Sequence, residues 1–204
     1  METVTTRKNG TKTKSLNIKN LNLNKMKKLL LVLLSFLAFN LSYGQTDSKE
    51  KELSNAEKFS SKSGTLIEKE FLDVGTLKKA EIKVIHYTDL ISNESVSALR
   101  FEYEVASSYS SDTKVASLDA DEIDGLIKSI KMMQEKVFTS SPTNYTEVTY
   151  KSRGGFEAGC YWSKGDWGTY LKLEKYDGKS YVFLKKDDFP ELLTLLEKAK
   201  TLMK

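Results

Sequence analysis

Twice in this chain the spacing of apolar residues changes from a period of two to the period of an α-helix, and the two changes lie 66 residues apart, at Leu118 and Leu184. A strand buries alternate residues and a helix every third or fourth, so each change marks a strand running into a helix. Ahead of the first, Leu99, Phe101, Tyr103 and Val105 alternate with Arg100, Glu102 and Glu104, as on a sheet with one buried face. After it, Ile123, Leu126, Ile127, Ile130, Met133 and Val137 fall at helical spacing, and Asp119 with Glu122 supplies a capping pair, which predicts a helix over residues 119–137. The second corner leads into a helix from about Asp187 to Leu202, with Pro190 in its first turn, where a missing N–H matters least.

Upstream of each corner, segments rich in β-branched and aromatic residues alternate with turn signals. Four strands are expected in the first half, at 65–72, 80–88, 96–107 and 113–118, and four in the second, at 145–152, 156–163, 167–176 and 180–185. Arg153-Gly154-Gly155, Lys164-Gly165-Asp166 and Asp177-Gly178 separate the later strands, and Asp-Gly in particular supplies the positive φ angles of a tight hairpin. Displacing the first half by 66 residues lays Asp121 on Asp187, Leu126 on Leu192, Ile127 on Leu193 and Ile130 on Leu196. The register predicts a duplication. The fold class is therefore α+β: two tandem ββββα repeats, residues 65–140 and 141–204, whose antiparallel sheets are each covered by a C-terminal helix. One unit of about 70 residues is marginal alone, so the two are expected to share an interface or a sheet.

In this order of elements, residues 65–204 resemble the tandem ββββα folds of the Whirly and positive-cofactor-four-like single-strand nucleic-acid binders. The resemblance rests on topology, with no family motif residues to carry across, and it implies single-stranded nucleic-acid binding as one functional alternative.

Residues 26–44 read as a signal peptide. Met26-Lys27-Lys28 opens it, an apolar run follows from Leu29 to Phe39, and Ser42-Tyr43-Gly44 offers a cleavage point before Gln45. The run is shorter than the ~20 residues a membrane-spanning helix needs. Residues 1–25 are a polar mixture without periodicity, expected to be a non-native upstream segment with translation starting at Met26. The first 44 residues carry eight of the 32 Lys and Arg and one of the 28 Asp and Glu, so the remainder has 24 against 27, a net charge of −3. That balance argues against nucleic acid as a partner. No cysteine stands at the cleavage point, so a periplasmic or extracellular product without a lipid anchor or membrane span is expected. Residues 45–64 form a polar leader in which Leu53, Ala56 and Phe59, spaced three apart, allow one short, weak helix. The Met26-Lys27-Lys28 start, cleavage before Gln45 and the Lys/Asn-rich composition resemble those of small, uncharacterised secreted proteins of Bacteroidetes type.

The residues offer little to catalysis. Metal centres want two or more His, Cys or carboxylate ligands at fixed spacing; with one histidine, His86, and one cysteine, Cys160, the sequence predicts no metal and no cofactor. His86 is expected to be half-buried and hydrogen-bonded, and Cys160 to be a packed strand residue. Glycines 154, 155 and 165 do not sit between a strand and a helix as a phosphate cradle requires. Carboxylate pairs of the glycosidase type leave a carbohydrate-active hydrolase as a further alternative. The second half is rich in aromatic residues: Tyr161, Trp162, Trp167 and Tyr170, with Lys172, form a candidate binding surface able to stack sugars, bases or a partner protein. Alternation sets Tyr161, Tyr170 and Lys172 on the face opposite Phe156, Ala158, Cys160 and Trp162. The sequence thus predicts an exported, non-catalytic binding or structural module for a protein, peptide or glycan partner.

Overall fold

The structure, a computed structural model, describes residues 53–106 and 110–203; the expected signal peptide, the upstream segment and the first part of the polar leader lie outside the described residues. A short helix, α1 (Asn55–Ser60), precedes four strands: β1 (Ile67–Leu77), β2 (Ala80–Asp89), β3 (Ser95–Ala106) and β4 (Ser111–Asp119). Helix α2 (Ile123–Met132) follows. Four more strands, β5 (Thr146–Lys151), β6 (Glu157–Ser163), β7 (Asp166–Lys172) and β8 (Tyr181–Leu184), then lead into α3 (Phe189–Leu202). The strands form two antiparallel sheets in simple meander order, β1-β2-β3-β4 and β5-β6-β7-β8. The chain is thus α+β, with two four-stranded antiparallel sheets each followed by a helix.

Several boundaries differ from the periodicity, for local reasons. Strand β1 runs through Gly75 to Leu77 because a bulge between Asp73 and Gly75 absorbs Val74, which is buried. The Asp119–Glu122 capping pair forms, but its first turn is 3-10, at Ala120–Glu122. At the far end, the predicted helix widens to π geometry over Met133–Val137, with Phe138 N–H donating to Met133 O at 2.9 Å. This brings Phe138 against Phe189 with ring centroids 5.0 Å apart. The β6–β7 hairpin turns on Lys164 and Gly165, both at positive φ (53° and 83°). Asp177-Gly178, by contrast, is not a two-residue hairpin. Asp177 Oδ1 accepts from Lys179 N–H at 2.7 Å, winding Gly178–Ser180 into a 3-10 turn and ending β7 at Lys172.

Both sheets and both long helices contribute to one core. Leu99 and Phe101 from the first sheet, Cys160 and Leu171 from the second, Leu126 and Ile130 from α2, and Leu192 and Leu196 from α3 belong to a single buried cluster. Phe101 stacks on Phe156 at 4.8 Å, joining the two sheets directly. Helix α3, although it follows the second sheet, lies against β1 and β2 of the first. Lys198 Nζ donates to Val74 O at 2.5 Å, Lys78 pairs with Asp188 at 2.8 Å, and Gly75 leaves room for Leu195. Helix α2 correspondingly meets β5: Tyr150 Oη donates to Glu122 O at 2.9 Å and its ring packs beside Gly125.

Helix α1 covers the opposite face of the first sheet, where Ala56 and Phe59 close a second, smaller cluster with Ile85, Tyr87 and Ala98. A Ser54–Glu57 capping box starts it. Its free Asn55 and Ala56 N–H groups donate to the two oxygens of Asp119 at 2.9 Å each, and Arg153 from the β5–β6 turn closes on the same carboxylate at 3.0 Å. The short helix is therefore held by both halves of the chain.

Candidate binding face

The alternation of β5 to β8 divides the second sheet into a core-facing side and an outer side. On the outer side, register sets Glu147 opposite Tyr161, Thr149 opposite Gly159 and Lys151 opposite Glu157. It continues with Gly168 opposite Tyr161, Tyr170 opposite Gly159 and Lys172 opposite Glu157, then Phe183 opposite Tyr170 and Tyr181 opposite Lys172. Two tyrosines therefore each face a glycine on the neighbouring strand, and both use the missing side chain. Tyr170 lies from β7 across Gly159 and reaches β5, where its hydroxyl meets Thr149 Oγ1 at 3.2 Å. Tyr161 lies the other way, from β6 across Gly168. A Cβ added at Gly159 would stand 2.7 Å from Tyr170 Oη, and one at Gly168 would stand 2.7 Å from Tyr161 Oη, both inside contact distance. The rings thus lie flat on the sheet instead of standing up from it.

Around them the face rises at its margins. Tyr181 tilts against Tyr170 at 5.3 Å, and Phe183 stacks on Tyr181 with centroids 5.8 Å apart and planes 11° from parallel. Phe183 and Tyr145 are 67% and 64% exposed, whereas Tyr170, the floor, is 9% exposed. The result is a shallow depression of about 330 Å³ lined by Tyr145, Tyr161, Tyr170, Tyr181 and Phe183, with Glu147, Lys151 and Glu157 among them. Lys151 pairs with Glu157 at 3.0 Å, Tyr145 hydrogen-bonds Glu147, and Lys172 Nζ sits 5.3 Å from the Tyr181 ring centre while donating to Lys175 O. Burial pushes the Tyr170 phenol above its ordinary range, and the Glu147 carboxylate does the same for Tyr145. Both hydroxyls stay protonated, each engaged by a neighbour, Tyr145 by Glu147 and Tyr170 by Thr149.

Of the five residues singled out from the sequence, the structure brings Tyr161, Tyr170 and Lys172 together here. Trp162 and Trp167 go to the other side of the sheet: they pack at 5.5 Å on each other, Trp167 is buried, and its Nε1–H donates to Ser140 O at 3.0 Å. Even-numbered β6 positions face the core, so the tryptophans belong with Cys160 and Leu171. Tyr145, Tyr181, Phe183 and the two glycines complete the face. Their signal was the pairing of a strand glycine with a tyrosine on the next strand, visible only once register is known.

Other chemistry is sparse. His86 is half-buried and its Nδ1 lies 2.7 Å from Ser97 Oγ, its cross-strand partner. Neither residue lines the aromatic depression. Cys160 is fully buried and burial pushes its thiol up to about 11. Among the described residues no group of three or more His, Cys, Asp or Glu is placed to hold a metal ion, and no helix is long and apolar enough to cross a membrane. No protein-family model matches the chain, and neither a curated protein nor a solved structure shows significant similarity to it.

Proposed function

We propose that the protein is an exported, non-catalytic binding module that engages its ligand through the outer face of the second sheet. The observation that carries this reading is the pair of tyrosines laid flat over Gly159 and Gly168. Glycine in a strand interior forfeits side-chain packing and costs entropy, and two of them under two rings make a surface whose flatness is built in. No helix among the described residues covers it, whereas the corresponding side of the first sheet is partly closed by α1. The carboxylates favour binding over cleavage. Glu147 and Glu157 sit four residues apart in register, about 13 Å along the strands, against the ~5–9.5 Å that paired-acid glycoside hydrolysis uses.

Hydrogen exchange of the purified protein against a panel of neutral oligosaccharides, peptides and oligonucleotides tests the reading. The expected result is saturable protection confined to residues 145–183 by one class of compound, with the compound recovered intact. Protection confined to other strands, or conversion of the compound by the protein, would overturn it.

A further inference from the structure

Resting on that reading of the face, we propose that its ligand is a neutral oligosaccharide, a run of hexopyranose rings laid along the aromatic side chains. Three features of the face point to this class, and each disfavours another.

The first is shape. Sugar rings present an axial C–H face that stacks on an aromatic ring, and a flat, offset set of rings is the complementary surface. Tyr161 over Gly168 and Tyr170 over Gly159 form the flat floor, and Tyr181 and Phe183, stacked on each other, form a wall beside it, the whole spanning four strands, about 14 Å from edge to edge. The second is charge. Glu147 and Glu157 line the depression against Lys151 alone, with Lys172 beside Tyr181 at its margin, so the face has no surplus of cations to draw in a phosphate chain or a uronate polymer. Single-strand nucleic-acid grooves combine stacking rings with surplus cations, and the surplus is missing here. The third is the kind of hydrogen bond on offer. A peptide that binds by strand addition needs the unpaired N–H and C=O groups of a sheet edge; this is a sheet face, and its donors and acceptors are side chains. Carboxylates, ammonium groups and phenols set among rings suit the vicinal hydroxyls of a sugar. Four charges among the rings are also poorly suited to the centre of a protein–protein contact, from which charged residues are depleted.

Calorimetric titration with cellohexaose, chitohexaose and mannohexaose, beside an oligogalacturonate, a mixed peptide library and an oligothymidylate, tests the proposal, with the amide shifts of Gly159 and Gly168 reporting position. At least one neutral hexasaccharide is expected to saturate with shifts centred on those glycines. Tyr161→Leu and Phe183→Ala are expected to weaken it at least about fivefold each, with native tryptophan emission showing that the fold is kept. Gly168→Ala, which tips the Tyr161 ring without removing it, should also weaken binding, and Lys83→Ala on the other sheet should not. If the uronate, a peptide or the oligonucleotide saturates this face while the neutral sugars do not, the sugar assignment is wrong and the binding face stands. If a sugar binds with shifts elsewhere, or indifferently to Tyr161 and Phe183, both fail, as they do if no compound shifts either glycine.

Discussion

Asp119 ties together the start of α1, the end of β4 and the β5–β6 turn. Its side chain is 7% exposed, accepts from the two opening N–H groups of α1, and takes the Arg153 guanidinium on one of the same oxygens. Removing it leaves two helix-end donors without their acceptor, while Arg153, 44% exposed, keeps its bonds to Asp121. Asp119→Ala should therefore destabilise the protein by about 1–3 kcal/mol, read as a lower urea midpoint. Asp119→Asn, which keeps one carbonyl acceptor but no charge, should lose less. A null result for Asp119→Ala would mean that α1 is held by its apolar face alone. The sequence disclosed the capping role of Asp119 toward α2, because its partner Glu122 lies three residues away. Its bonds to α1 and Arg153 were illegible, since they span more than thirty residues and depend on the closure of both sheets. The same limit separates Tyr161 from Trp167. Alternation gave the side of Tyr161, Tyr170 and Trp162, but Trp167 was counted with the candidate surface and is buried, and only the pairing of Gly168 with Tyr161 shows which rings lie flat.

Periodicity located all eight strands and both long helices, misplacing the far ends of β1 and β7 by several residues, because a half-buried sheet and an amphipathic helix write their burial directly into the order of residues. It failed where one element leans on another. Strand β1 continues past Gly75 because the bulge and Leu195 of α3 share the space there, and α1 is docked, not weak, because Phe59 finds Ile85, Tyr87 and Ala98. Phe59→Ala should cost about 2–3 kcal/mol, below the ~3–5 typical of a central phenylalanine because the cluster is small. The gain of dye binding that accompanies an uncovered sheet face would be the second readout. Elements are also joined by charge. Lys114 on β4 reaches Asp177 before β8, at 2.6 Å, and the Lys114 ammonium holds the Asp177 carboxyl below its usual range. Arg153 does the same to Asp121. A carboxylate lowered in the folded state stabilises fully above its unfolded value of about 3.9 and loses that contribution as pH falls through the folded value. Urea midpoints measured from pH 7 downward should accordingly begin to fall below about pH 4, and Lys114→Met should reduce the slope of that fall. An equal slope in the variant would remove Lys114 from the account of acid stability.

Across the whole molecule, α3 follows the second sheet yet packs on the first, α2 meets β5, and Phe101 stacks on Phe156. Each half therefore hides apolar surface that its own four strands cannot cover, and neither has a complete core without the other. Such an arrangement should unfold in one step. Cys160 offers a direct measure. It is fully buried in the shared cluster, its thiol is pushed up to about 11 by that burial, and it has no disulfide partner. In the native protein the thiolate is scarce and inaccessible, so reaction with an aromatic disulfide reagent requires opening of the core. Two halves opening separately would release Cys160 with the second sheet alone, at a denaturant concentration below that which melts the first. The exchanged helices instead predict that thiol labelling, tryptophan emission from Trp162 and Trp167, and far-ultraviolet circular dichroism share one midpoint. Labelling that precedes loss of the β signal by more than the error of the midpoints would show that the second sheet opens on its own, and the common core would not be what makes the fold cooperative.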